Sequence, residues 1–75
     1  MSLTAAQKLA KRIKELRLER GWTQEEAAKR CRIKYKYYQE HEGSKPRDMR
    51  LSTMEKIAKG LNLSLSELLD FDDVT

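Results

Sequence analysis

A chain of 75 residues makes one domain around one small core, too short for a barrel, a doubly wound sheet or a multi-step enzyme. At 37% charged, 39% hydrophobic and 7% aromatic, with three Gly and one Pro, its composition fits a small helical protein and neither a disordered chain nor a β-sandwich. Residues 1–50 carry 14 Lys/Arg against 7 Asp/Glu, a balance of +7, while residues 51–75 carry 2 against 5, a balance of −3. A basic front with an acidic end suits a polyanionic partner for the first two-thirds, although solvated helix faces are often basic as well.

In chain order, Thr4 and Gln7 have capping-box spacing, and Leu9, Ile13 and Leu16 then recur at helical intervals, which predicts a first helix over 5–20. Gly21 is its left-handed cap, and Trp22 is a large apolar anchor before the next start. Thr23-Gln24-Glu25-Glu26 reads as a full capping box, and Ala27, Ala28 and Cys31 follow it, so a second helix is expected over 24–31. After the break Arg32-Ile33-Lys34 comes a third helix, Tyr35 to Glu42, with Tyr38 and His41 on a buried stripe. Pro46 and its neighbours mark 43–48 as loop. Leu51, Met54, Ile57, Ala58 and Leu61 restore the helical period up to Asn62, which tolerates a left-handed conformation. Ser64-Leu65-Ser66-Glu67 is another capping box and opens a short fifth helix with Leu65, Leu68 and Leu69. The expected fold is all-α: a single compact five-helix domain over 1–75, with its core at about 5–70 and an acidic tail at 70–75.

Catalytic and metal chemistry find little support. Cys31 is the only cysteine and His41 the only histidine, which excludes an internal disulfide and leaves too few ligands for zinc. Cys31 is expected as a small buried hydrophobe and His41 as a partly buried packing residue. The carboxylates form no acid/base pair, so no enzyme and no cofactor is expected. No apolar run approaches the ~18 residues of a membrane span, and the N-terminus has no apolar signal core, which implies a cytoplasmic protein without a membrane partner. Met1-Ser2-Leu3 carries no functional weight.

Two short helices separated by a three-residue break form the pattern of a helix-turn-helix. With RIKELRLERGWTQEEAAKR, the YYQEHE helix and LSTMEKIAKGLNLSLSELL in this order, the chain from Arg12 to Leu69 resembles the Cro and phage-repressor (XRE) type of helix-turn-helix domain, whose fold is λ-repressor-like. Gln24, Ala28, an apolar residue at 33, Tyr38 and Glu42 agree with that pattern together. Small Ala28 lets helices 2 and 3 approach, and Ile33 plugs the turn into the core.

The resemblance implies that Arg17 pairs with Glu42 as a structural ion pair. It also places the base-reading positions of double-stranded DNA on Tyr35, Lys36 and Glu40, with Tyr37 and Gln39 beside them. Lys36 can donate to guanine, Gln39 can pair with adenine, and a tyrosine ring can pack on a thymine methyl. Gln24, at a helix N-terminus, can donate to a phosphate, as can Lys34, Lys45 and Arg47; the competing reading of each is a plain exposed residue.

Three positions depart from the pattern. Arg32 stands where the family has a left-handed Gly, at a cost of about 1 kcal/mol if the backbone is the same. Lys34 replaces a Ser or Thr cap, and His41 replaces Ile or Leu. The loop over 43–50 is one residue longer than usual. The function implied is a sequence-specific DNA-binding transcriptional regulator, a repressor acting as a homodimer on a two-fold operator. Leu65, Leu68, Leu69 and Phe71 are the candidate dimer contacts, although Leu65 and Leu69 also fit the core. The alternative is an antitoxin or adaptor that binds a protein partner through the same fold, a use to which the three tyrosines of helix 3 are suited.

Overall fold

The computed structural model describes residues 3–71. Five helices follow one another: α1 (Ala5–Glu19), α2 (Gln24–Cys31), α3 (Tyr35–Glu42), α4 (Leu51–Gly60) and α5 (Leu65–Leu68). The spacings predicted these elements in order. Most of the acidic tail, 72–75, and the opening residues 1–2 lie outside the described residues.

Local chemistry sets the helix ends. Thr4 Oγ1 accepts from Gln7 N (3.1 Å), and Gln7 Oε1 accepts from Thr4 N (2.9 Å), which closes a reciprocal box at the start of α1. Ser64 and Glu67 do the same for α5. The box expected at α2 is only half made: Thr23 accepts from Glu26 N (3.1 Å), but the Glu26 carboxylate accepts from Arg30 Nε one turn on (3.1 Å). An ion pair along the helix competes there with the return bond to the backbone.

Helices α1, α2 and α4 end in one repeated device. A residue with positive φ follows each of them, Gly21 (71°), Arg32 (57°) and Asn62 (61°), and the next residue donates its N–H back into the last turn. The donors are Trp22 to Arg17 O (3.3 Å), Ile33 to Ala28 O (3.0 Å) and Leu63 to Ala58 O (2.8 Å). This is the Schellman geometry, and each donor is a half-buried apolar side chain packed against the core.

Tyr38, Ile13, Ile57, Leu61 and Leu68 are the largest fully buried side chains, drawn from α1, α3, α4, the end of α4 and α5. Leu68 is 0% exposed, so it is withdrawn from the candidate dimer contacts, whereas Leu69 keeps 38% of its surface. Arg12 of α1 and Arg20 at its C-cap staple the later helices down. Arg12 Nη2 donates to Glu67 O (2.9 Å) in α5, and Arg20 Nη2 donates to Leu61 O (2.8 Å) at the end of α4. Among the described residues no helix is long and apolar enough to cross a membrane.

Candidate nucleic-acid interface

The helix-turn-helix is built by α2, the turn 32–34 and α3. Ala27 and Ala28 are buried where α2 faces the core, and Ile33 is half-buried beneath the turn. Arg32 takes the left-handed conformation (φ 57°, ψ 42°) that the pattern assigns to glycine, so the turn keeps its shape and carries the strain. Lys34 caps α3 through its backbone alone, accepting from Tyr37 N (3.0 Å) and Tyr38 N (2.9 Å) with no side-chain bond.

One side of α3 is anchored and the other is open. Tyr38 is 0% exposed, the Glu42 side chain 1%, and His41 is half-buried. Tyr35, Lys36, Tyr37, Gln39 and Glu40 are all exposed, with Tyr35 at 43% and Tyr37 at 48%. The Lys36 ammonium lies 5.9 Å from the centroid of the Tyr37 ring, within cation–π range. The five residues expected to read bases are thus all exposed, with Tyr35 on the flank of α3 beside α2 and Tyr37 on the flank toward α4.

Glu42 is the hub of the anchored side. Its Oε2 accepts from Arg17 Nε (2.8 Å) and from the Tyr38 hydroxyl, and its Oε1 accepts from Arg17 Nη2 (3.1 Å) and Gln24 Nε2 (3.3 Å). Arg17 Nη1 donates to Trp22 O (2.7 Å), in the link between α1 and α2. Three helices and one linker therefore meet at a single carboxylate, and no buried side-chain polar atom among the described residues lacks a partner. The hydrogen bond to Glu42 raises the Arg17 pKa, so the guanidinium stays charged. Burial, and then the bond to Glu42, pushes the Tyr38 hydroxyl well above the usual phenol range, so it remains a donor.

Gln24 is half-buried and commits one amide hydrogen to Glu42, so it fixes the start of α2 to the end of α3 and has one amide hydrogen left for a phosphate. The pattern had marked Gln24 and Glu42 separately, and their bond spans 18 residues of sequence. Lys34, Lys45 and Arg47 are exposed, the last two in the loop between α3 and α4. Cys31 is 2% exposed, and burial pushes its thiol up to about 11, which leaves it an unreactive packing residue. Burial lowers the pKa of His41. Among the described residues no group of three or more His, Cys, Asp or Glu could hold a metal ion.

An anchored recognition helix with an open polar face, on a five-helix scaffold, defines a DNA-binding transcription regulator of the helix-turn-helix class. A helix-turn-helix family model matches residues 13–68, and the chain belongs to that family, in its XRE-type form. It is also similar to a crystal structure of a Y37F mutant of the restriction-modification controller protein C.Esp1396I. The two are 30% identical with a TM-score of 0.78, and the match covers 92% of this chain and 90% of that one. No curated protein matches.

Proposed function

We propose that the chain is a sequence-specific transcriptional repressor that binds a two-fold operator as a homodimer. The observation that carries this reading is the division of α3: Tyr38 and Glu42 lock it into the scaffold, while Tyr35, Lys36, Tyr37, Gln39 and Glu40 face solvent with the donors and acceptors that base edges require. Lys34, Lys45 and Arg47 supply charge for flanking phosphates. Likeness to a restriction-modification controller supports transcriptional control over an antitoxin or adaptor role. A single module of this size buries little surface on DNA, and pairing two modules on half-sites one helical turn apart supplies the rest. Leu69 and Phe71, with Met54 beside them along one apolar groove, are the contacts proposed for the dimer.

Selection of bound duplexes from a random library tests the reading. The expected product is one motif with two-fold symmetry and half-sites about one helical turn apart. Recovery of no motif, together with capture of one protein through Tyr35 and Tyr37, would establish the interaction-module alternative. A monomer in sedimentation, both free and on the selected duplex, would remove the dimer.

A further inference from the structure

Beside the outward face of α3, an open groove runs between the helix-turn-helix and α4. Five cations border it: Arg32 and Lys34 from the turn, Arg47 and Arg50 from the loop before α4, and Lys56 from α4 itself. All five are exposed, and none makes an ion pair or a side-chain hydrogen bond among the described residues. Glu40, at the edge shared with α3, is the one acid along it, and His41, whose pKa burial lowers, adds no charge at neutral pH. Five cations against one acid repel one another, so this arrangement costs stability unless an anion occupies it.

Arg32 makes the point independently of charge counting. It holds a left-handed conformation in which a side chain is strained and glycine is not, and it lines the groove. Arg50 opens α4 as an N-cap without a side-chain cap bond, and Lys34 opens α3 in the same way. A cation is the charge that a helix dipole disfavours at its start, and an anion bound between them reverses that penalty.

We infer that this groove is a phosphodiester site for the DNA backbone beyond the bases that α3 faces, with Arg32, Arg50 and Lys56 as its phosphate-binding residues in addition to Lys34 and Arg47. The inference rests on the DNA-binding reading above and extends its footprint from α3 across to α4. An extended polyanion fits better than an acidic protein segment. The groove includes Lys34 and Tyr37 of the recognition face, and Ile33 is the one aliphatic side chain among its lining residues, half-buried, where a protein interface would want an apolar centre.

The test measures binding to a mixed-sequence duplex of about two helical turns, over a series of salt concentrations, for the wild type and for Arg32→Gly, Arg50→Ala and Lys56→Ala, singly and combined. Each lost phosphate contact lowers the slope of log K against log salt by about 0.9, so the triple variant is expected to lose about 2–3 in slope and at least about tenfold in affinity at low salt. Arg32→Gly separates binding from folding, because relief of the left-handed strain should raise the melting temperature while affinity falls. Lys11→Ala with Lys14→Ala, exposed cations of α1 outside the groove, controls for net charge and is expected to leave the slope unchanged. An unchanged slope in the triple variant overturns the inference while the DNA-binding reading stands; a wild type that binds no duplex overturns both. A triple variant that keeps its DNA slope but loses binding to poly-L-glutamate assigns the groove to an acidic protein and also overturns it.

Discussion

Gly60 of α4 lies against Cys31 of α2 with no room for a methyl group. A Cβ at position 60 would fall 2.6 Å from Cys31 Sγ, 2.8 Å from Cys31 Cα and 2.9 Å from Arg30 O. Helix propensity favours alanine over glycine by up to about 1 kcal/mol, but two of these three atoms are backbone and cannot step aside. Overpacking of this kind costs about 1–3 kcal/mol and decides the sign. Gly60→Ala is therefore expected to lower stability in urea unfolding, and Cys31→Ala is not expected to rescue it, because Cα and the Arg30 carbonyl stay in place. Equal stability of Gly60→Ala and wild type would mean that α2 and α4 cross less closely.

The Arg17–Glu42 pair makes a second stability prediction. A buried charge left without its partner costs about 3–5 kcal/mol, a large share of the ~5–15 kcal/mol total of a small domain. Glu42→Ala also strips the Tyr38 hydroxyl and the Gln24 amide of their acceptor, so it should be at least as damaging as Arg17→Ala. The double variant should lose clearly less than the sum of the singles. Strict additivity in the double-mutant cycle would contradict the bidentate contact.

Much of this architecture was legible in the sequence because it is local. Capping boxes at Thr4/Gln7 and Ser64/Glu67 and the left-handed positions at Gly21 and Asn62 act within four residues, so spacing alone locates them. Features decided between distant segments were not legible. Glu26 had two local partners and chose Arg30; Gln24 turned inward only because α3 brings Glu42 to it. In α5, four residues long, the period cannot say which of two adjacent leucines is buried, and Leu68 is. Arg32, Arg50 and Lys56 read as scattered charge until the Gly60 contact carries α4 past the turn.

Burial of His41 gives a pH dependence whose sign is fixed. With its folded pKa below the ordinary imidazole value of about 6.5, the unfolded chain binds the proton first as pH falls, so the unfolded state gains stability on acidification. The contribution is complete above about pH 6.5 and is lost as pH falls from there through the lower folded value. His41→Leu should flatten the stability profile in that window and leave the loss at lower pH, where carboxylates such as Glu67 titrate, in place. An identical slope below pH 6.5 in wild type and His41→Leu would place the titration elsewhere.

Base reading by α3 is tested by comparing losses on two DNAs. Tyr35 and Lys36 stand exposed in the first turn of the recognition helix, where a helix entering the major groove brings side chains to base edges. A contact to a base edge discriminates between sequences, whereas a contact to phosphate does not. Lys36→Ala should therefore cost about 1–3 kcal/mol on the selected operator, relax preference at one or two base pairs in each half-site, and change affinity for random duplex much less. Lys45→Ala with Arg47→Ala should do the reverse, weakening all duplexes alike and lowering the salt slope by about 0.9 for each lost contact. Because the Lys36 ammonium also lies over the Tyr37 ring, Tyr37→Ala provides an internal check: if Lys36 reads a base from a position that the ring helps to hold, the two losses on operator DNA should be less than additive. Equal weakening of operator and random DNA by Lys36→Ala and Tyr35→Ala would assign both residues to the backbone and leave Tyr37, Gln39 and Glu40 to read the sequence.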